Sequence, residues 1–187
     1  MYLRESSMPA LDEWEALFDV ELILNRFGIT GEVAELGCGY GTFTLALARR
    51  VSAPVHAIDI DPAMIETVRH RAAWAGVSNV DVRLRDVTTE GFGLEDSSCD
   101  ACLLFNILHG ESPARLIREA RRVLRVGGDL AVIHWRSDIA TPRGPPAQIR
   151  PVAPSIVRWV AEAGGLALAD GPFLLPPWHY GLKFKAV

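Results

Sequence analysis

The sequence predicts an α/β fold in which a mainly parallel sheet is covered by helices on both faces. Two observations lead to this prediction. Short β-branched runs alternate with longer segments of helical periodicity along most of the 187 residues, and such alternation is typical of a parallel sheet. The run 101–105 is also apolar throughout, as expected of a central strand that both helical layers cover.

The first five strands are predicted from short apolar or alternating runs. They lie at 33–36, 55–59, 80–84, 101–105 and 130–134. The third run alternates valine with aspartate and arginine, so one of its faces meets water, and we expect it at an edge of the sheet.

Helices are predicted between these strands from 3.6-residue periodicity and from residues typical of helix ends. Asp61-Pro62 and Ser112-Pro113 are typical N-terminal pairs, while Gly28, Gly76 and Gly127-Gly128 are typical of C-terminal ends. The predicted helices are 12–27, 42–51, 61–75 and 112–124.

The C-terminal part is rich in proline, with eight of the 12 prolines after residue 141. A further helix is predicted at 155–163 and two more strands at 166–169 and 180–187. The connection between these strands holds three prolines and no helical pattern, so we expect the pair to be antiparallel.

Composition limits the possible partners. The net charge is −4, with 22% charged and 49% hydrophobic residues, which favours neither nucleic acid nor an anionic membrane. No window approaches the ~18 apolar residues of a membrane helix, and charges occupy the N-terminus where a signal peptide would be apolar. We therefore expect one cytoplasmic domain, as a monomer or homodimer, whose three cysteines are reduced.

A glycine-rich loop, Glu35-Leu-Gly-Cys-Gly-Tyr-Gly41, follows the first strand and leads into a helix. Glycines there permit a sharp turn and close approach of a ligand to the backbone. The dinucleotide pattern G-x-G-x-x-G matches at Gly37 and Gly39, but its third position falls on Thr42. A carboxylate at Glu35 also disfavours a pyrophosphate and suits a cationic ligand group instead.

Glu-x-Gly-x-Gly-x-Gly resembles the nucleotide-binding loop of class I S-adenosylmethionine-dependent methyltransferases, of the type 11 small-molecule branch. The resemblance extends over 30–135 through Asp59 at the end of the second strand, Asp86-Val87 after the third, and Gly127-Gly128 before the fifth. It implies a Rossmann-like, doubly wound sheet of seven strands with an antiparallel last strand. It also implies S-adenosylmethionine as cofactor and S-adenosylhomocysteine as product.

Roles for individual residues follow from the same resemblance. Glu35 is expected to hold the amino group of the cofactor, and Asp59, followed by Ile60, its ribose. Asp86 and Val87 are expected to contact the adenine. The backbone of the glycine loop admits the cofactor, and Asn106 shapes the pocket near its methionine part. The loop positions assigned to this contact are Gly37, Cys38, Gly39 and Gly41.

The resemblance divides the chain into an N-terminal helical lid segment (1–28), a cofactor-binding core (30–135) and a substrate loop with the last helix and terminal strand pair (136–187). The cofactor fold takes up nearly the whole length. We therefore expect the acceptor to be a small molecule that contacts the first ten or so residues and the stretch 136–154.

Candidate residues for the acceptor follow the fourth, fifth and last strands. His109 is the candidate general base, although methyl transfer from a sulfonium does not require one. Arginines at 136, 143 and 150 are candidates to clamp an anionic group or are solvated surface residues. The candidate acceptor residues are His134, Arg136, Arg143, His179 and Tyr180.

No metal site is predicted. Cys99 and Cys102 have C-x-x-C spacing, but they enter a strand, where residues three apart point to opposite faces, so we expect core packing. His56 and His70 have no evident partners in the sequence and are interpreted as structural or surface residues.

Two other functions remain open at this point. One is a protein that binds the cofactor without transferring its methyl group, since a fold does not imply a function. The other, disfavoured by the position of the third glycine, is an NAD(P)-dependent oxidoreductase. The acceptor atom, oxygen, nitrogen, sulfur or carbon, is not determined by the sequence.

Overall fold

The computed structural model describes residues 8–110 and 112–187. It confirms the seven-stranded sheet, whose strand order is β3-β2-β1-β4-β5-β7-β6. Strands β1 to β5 are parallel, whereas β7 runs antiparallel to both β5 and β6. The strands are β1 (Val33–Leu36), β2 (Val55–Asp59), β3 (Val80–Leu84), β4 (Cys99–Phe105), β5 (Leu124–Trp135), β6 (Leu166–Leu175) and β7 (His179–Ala186).

Helices cover both faces of this sheet. Their bounds are α1 (Leu11–Glu15), α2 (Val20–Phe27), α3 (Thr42–Ala48), α4 (Pro62–Trp74), α5 (Val87–Glu90), α6 (Pro113–Val123) and α7 (Ala153–Ala163), with a 3-10 turn at Ala147–Ile149. Alternate residues of β5 enter different cores. Val132 packs in a buried cluster with residues of α6 and α7, and Ile133 packs in another with residues of α2 and α3. The doubly wound arrangement is therefore confirmed.

The predicted centre and edge of the sheet are also confirmed. β4 occupies the middle of the strand order and β3 one end. The side chains of β4 are almost all buried, whereas those of β3 are all partly or fully exposed. The continuous apolar run thus predicted the central position of β4, and the alternation of polar and apolar residues predicted the edge position of β3.

The single helix predicted at 12–27 is wrong, because the structure has two helices there. α1 ends at Glu15 and α2 begins at Val20. Asp19 starts the second helix, since its Oδ1 accepts the backbone N–H of Leu22 at 2.9 Å. Aspartate at such a position satisfies an N–H that the helix itself leaves unpaired.

Gly127 and Gly128 were expected to end the helix before the fifth strand, and this is wrong as well. α6 already ends at Val123, and β5 runs from Leu124 through both glycines. Leu124 pairs with Cys99 before the register shifts. Pairing with β4 thus extends the strand backwards over residues whose local propensity indicated a turn.

The strand predicted at 166–169 continues to Leu175. Pro172 was placed in the connection to the last strand but lies inside β6. This strand forms one edge of the sheet, where the missing N–H of a proline leaves no pairing position unsatisfied. The short helix α5 was not predicted. No helix in the described ranges is long and apolar enough to span a membrane.

Candidate functional site

The site lies at the carboxyl ends of β1, β2 and β4, where open parallel sheets bind ligands. Gly37 and Gly39 both have positive φ, of 70° and 52°. A Cβ at Gly37 would lie 2.8 Å from Cγ2 of Ile107, and one at Gly39 would lie 2.9 Å from Sδ of Met8. The loop is therefore restricted to glycine both by its conformation and by the space around it.

Two cavities border the loop. The inner cavity, of about 390 Å³, lies above β1 and β4, and eight of the candidate residues line it. They are Glu35, Gly37, Cys38, Gly39, Asp59, Ile60, Asn106 and His109.

The outer cavity, of about 240 Å³, lies towards β3, and Asp86 and Val87 line it together with Ile107, Gly110 and Leu116. Gly37, Asp59 and Ile60 line both cavities, so the two form one cleft. Gly41 lines neither of them. It precedes α3 with a φ of 75°, and a Cβ there would lie 3.0 Å from Cγ2 of Val68.

Glu35 of β1 lines the inner cavity and is only 2% exposed. Burial raises the pKa of its carboxyl group to about 8, with a further contribution from nearby Asp59. The hydroxyl of Thr44 donates a hydrogen bond of 2.5 Å to its Oε2 and opposes that shift. A carboxyl group in this environment is suited to pair with a cationic ligand group, whose charge would replace the lost hydration.

Asp59 lies where the two cavities meet. Its Oδ2 accepts the backbone N–H of Gly39 at 2.9 Å, and its Oδ1 accepts that of Asp61 at 3.0 Å. Burial nevertheless raises its pKa. A backbone hydrogen bond from Ile60 also favours the charged carboxylate. Because each carboxylate oxygen has two lone pairs, an acceptor position remains for a hydroxyl group of a ligand.

Asp86 begins α5 at the outer cavity. Its Oδ1 accepts hydrogen bonds from the backbone N–H of Thr88 at 3.0 Å and from the Thr88 hydroxyl at 2.5 Å. The side chain therefore orders the turn beside the cavity that Val87 lines. The Asp-x-Thr sequence is a helix N-terminal signal that the sequence reasoning missed.

Asn106 and His109 follow β4. Asn106 has a φ of 58°, and its N–H donates to the carbonyl of Ile133 in β5. Its side-chain oxygen is buried and has no partner among the described residues. The ring of His109 meets the ring of His134 edge-on, with centroids 5.6 Å apart.

The acceptor candidates on β5 and β7 lie outside both cavities. His134 and His179 are 0% and 1% exposed, and burial lowers the pKa of each to about 3. Tyr180 is buried too, which raises its pKa, and its hydroxyl donates to the carbonyl of Pro151 at 2.7 Å. These side chains support the loop that follows β5.

The three arginines of that loop are engaged within the protein. Arg136 pairs with Asp138 at 2.7 Å and Arg143 with Glu13 at 2.8 Å. Arg150 donates to the carbonyls of Pro145, Arg136 and Arg143. The guanidinium groups thus close the loop on itself and against α1, and none of them lines the two cavities.

Apolar residues that sequence reasoning did not assign to the site form much of the inner wall. These are Met8, Trp14, Phe43 and Phe105. Only the spatial arrangement of α1 over the glycine loop places Trp14 here. Part of the proposed lid, residues 1–7, lies outside the described residues.

α1 and the residues before it are tied to the glycine loop and its neighbours. Oε1 of Glu15 accepts from Arg71 at 2.6 Å and lies 3.4 Å from the Thr42 hydroxyl. The Tyr40 hydroxyl donates to the carbonyl of Pro9 at 2.8 Å. No local sequence signal joins these residues, because they come from separate elements.

His56 has partners, contrary to its interpretation from the sequence. Its ring nitrogens lie 2.9 Å from Asp81 and 2.9 Å from Glu32, and it is buried at the amino ends of the strands. Within the described residues, Glu32, His56 and Cys99 bring possible ligand atoms within 4.8 Å of one another. Arg125 also pairs with Glu32, so this group forms an ion-pair network that disfavours a metal cation. Cys99 and Cys102 are buried with free thiols, consistent with core packing.

Comparison with known proteins adds family information to this geometry. The sequence model of the methyltransferase domain family matches residues 33–128. An aklanonic acid methyltransferase from Streptomyces is 40% identical over 67 residues, 34% of this chain and 30% of that protein. A dimethylglycine N-methyltransferase from Parasynechococcus marenigrum is 36% identical over 101 residues, 52% of this chain and 35% of that protein.

The chain spans 30 to 40% of the length of the first curated relatives that it matches. A solved structure of similar size is that of a SAM-dependent methyltransferase from Aquifex aeolicus. Its TM-score is 0.82 at 23% identity, with 95% of this chain and 94% of that chain covered. At this identity the comparison establishes a shared fold.

Proposed function

We propose that this chain, which belongs to the methyltransferase domain family, transfers a methyl group from S-adenosylmethionine to a small-molecule acceptor. The observation that carries the proposal is the continuous cleft over the glycine loop. A buried carboxyl group, Glu35, lies in its inner part, and a second, Asp59, lies at its middle. S-adenosylmethionine has a cationic amino group at one end and ribose hydroxyls in the middle, in the same order.

The residues of the cleft fit this cofactor. Glu35 supplies a buried carboxyl group without a cationic partner among the described residues, and pairing with the amino group would favour its ionised form. Asp59 keeps acceptor positions for the ribose hydroxyls. The outer cavity offers Ile60, Val87 and Leu116 to a flat base, with Asp86 beside it. The absence of a side chain at Gly37 and Gly39 lets Ile107 and Met8 pack against the loop and line the cavity with it.

Methyl transfer requires mainly that two reactants be aligned and water be excluded. When bound, the cofactor supplies a methyl group on a positively charged sulfur. Asn106, held by its backbone bond to Ile133, and Trp14 and Phe105 in the apolar wall define where the acceptor reaches that methyl group. Each of these side chains therefore acts by positioning.

A small acceptor is supported by the enclosure of this space. Met8 and Trp14 line the inner cavity together with Phe105 at the end of β4. The loop after β5 is fastened to α1, which carries Trp14, through Arg143 and Glu13. Two similar proteins are named for small acceptors, aklanonic acid and dimethylglycine.

Isothermal titration calorimetry with S-adenosylhomocysteine and with NADH tests the cofactor assignment. We expect saturable 1:1 binding of the first ligand and none of the second. Incubation with a methyl-labelled donor and a small-molecule cell extract then tests transfer. Binding of NADH alone contradicts the proposal, and S-adenosylhomocysteine binding without label transfer identifies a cofactor-binding protein that does not methylate.

A further inference from the structure

We propose that Glu35 is protonated in the free protein and releases its proton to solvent when S-adenosylmethionine or S-adenosylhomocysteine binds, so that binding is linked to pH through the amino group of the ligand. This inference rests on the proposed function and adds a pH response to the same site. It is carried by the burial of Glu35, the scarcity of hydrogen-bond donors around its carboxyl group and the presence of a second carboxyl group in the same cavity.

The carboxyl group of Glu35 has little around it that stabilises a negative charge. The side chain is buried, and among the described residues the Thr44 hydroxyl is the single hydrogen-bond donor to it, 2.5 Å from Oε2. A buried carboxylate requires several donors or a cation to replace its lost hydration. One neutral hydroxyl group does not replace it, whereas a protonated carboxyl group keeps this hydrogen bond without carrying a charge.

The backbone N–H groups of the glycine loop are suitable donors for a carboxylate, but they bind other acceptors. Those of Gly37 and Cys38 donate to the same carbonyl in β2, at 2.8 and 3.2 Å. That of Gly39 donates to Asp59 at 2.9 Å. The loop that follows Glu35 therefore leaves its carboxyl group without backbone donors from these three residues.

Asp59 is the carboxyl group of this pair that holds the negative charge. Backbone hydrogen bonds from Gly39, Asp61 and Ile60 stabilise its carboxylate, although burial raises its pKa as well. Its charge in turn disfavours a second charge on Glu35, because two carboxyl groups in one desolvated site do not both ionise readily. The smaller number of donors identifies Glu35 as the group that keeps the proton.

The other ionisable groups around the inner cavity supply no positive charge to Glu35. Desolvation lowers the pKa of His109, and burial raises the pKa of the Cys38 thiol, so both are neutral at pH 7. Glu15 of α1 is paired with Arg71 of α4. With no cation of the described chain paired to it, burial raises the pKa of Glu35 to about 8.

A ligand amino group reverses this balance. An ammonium group beside Glu35 favours the ionised carboxyl group, because opposite charges attract strongly in a desolvated site. The carboxyl proton then leaves to solvent as the ion pair forms. A ligand that lacks the amino group brings no such charge, and Glu35 keeps its proton. The amino group is therefore recognised more strongly as the pH rises towards the pKa of Glu35.

Calorimetric titration in buffers of different ionisation enthalpy counts the protons that leave on binding. We expect S-adenosylhomocysteine to release close to one proton per ligand at about pH 6.5, and its affinity to rise about tenfold between pH 6 and pH 7. Binding without proton release overturns this inference. Failure to bind S-adenosylhomocysteine at all overturns the proposed function instead.

Glu35→Gln tests the source of the proton, and its side chain keeps an oxygen that accepts the Thr44 hydroxyl. We expect this variant to bind S-adenosylhomocysteine without proton release and with an affinity that changes less than about twofold between pH 6 and pH 7. Glu66→Gln, on an exposed side chain of α4, is the matched control and should release the same proton as the unchanged protein. Full release by Glu35→Gln assigns the proton to another group and refutes the inference.

The deamino analogue of S-adenosylhomocysteine, in which hydrogen replaces the amino group and the carboxylate is kept, tests the link to the amino group. It is titrated against the unchanged protein, so this comparison does not depend on the folding of a variant. We expect the analogue to bind without proton release, and the preference for S-adenosylhomocysteine over the analogue to grow about tenfold between pH 6 and pH 7. Release of a proton by the analogue contradicts the role of the amino group.

Discussion

Asp59→Ala is expected to weaken the binding of S-adenosylhomocysteine roughly tenfold to 150-fold. The Asp59 carboxylate accepts the N–H groups of Gly39 and Asp61 and a further backbone hydrogen bond from Ile60, and it keeps an acceptor position for a ribose hydroxyl. Hydrogen bonds to a charged group contribute about 1.5–3 kcal/mol, and this free energy converts to the stated range of affinity. Calorimetric titration at constant pH measures it directly.

The folded state is expected to tolerate the change. Burial raises the pKa of Asp59, so its ionised form is less favourable in the folded protein than in the unfolded chain at neutral pH. Asp59→Asn keeps the shape of the side chain and one acceptor oxygen. Glu66→Gln, on an exposed side chain of α4, is a matched surface control.

A 2′,3′-dideoxy analogue of S-adenosylhomocysteine separates a ribose contact from a change in the loop. If Asp59 binds the hydroxyls, Asp59→Ala weakens the parent ligand much more than the analogue, as in a double-mutant cycle. Equal losses for both ligands would assign Asp59 to loop geometry alone. An unchanged affinity for the parent ligand would refute the ribose assignment altogether.

Three further perturbations test other parts of the structure. Burial raises the pKa of Glu35 from 4.5 to about 8, so between these two pH values the folded state binds more protons than the unfolded chain. The free energy of unfolding should therefore fall as the pH rises from 4.5 to about 8. Glu35→Gln should make this fall smaller when the free energy of unfolding is measured by urea titration at several pH values. Arg150→Ala removes the donors to three loop carbonyls and should open the loop to limited proteolysis while changing S-adenosylhomocysteine affinity less than twofold. His56→Phe leaves Asp81 and Glu32 without their shared partner and should lower the free energy of unfolding by about 1–3 kcal/mol; a wild-type urea midpoint would contradict this.

The strands and the glycine loop were predictable because their signals are local. The apolar run of β4 and the alternating run of β3 each identify their own place in the sheet. The glycine loop combines a strand, a turn and a helix within a few residues, so its spacing is readable without the fold. Asp59 is the last residue of β2 and Asp86 comes two residues after the end of β3, and parallel pairing brings these strand ends to the same edge.

Errors arose where tertiary contacts override local preference. Gly127 and Gly128 indicate a turn by themselves, but pairing with β4 and β7 extends β5 through their neighbourhood. Pro172 indicates a loop, but an edge strand tolerates it. Asp19 begins a second helix. The periodicity of the apolar residues around it predicted one continuous helix instead.

The sequence by itself determined the order of the seven strands along the chain and the carboxyl and glycine positions of the cleft, because each depends on residues that are adjacent in the chain. Only the tertiary structure decided what surrounds them. Trp14 reaches the cleft from α1, Arg143 turns away from it to pair with Glu13, and His134 meets His109 from the neighbouring strand. Such contacts join residues far apart in the chain, and their geometry follows from packing across the sheet, for which a single sequence carries no periodic signal.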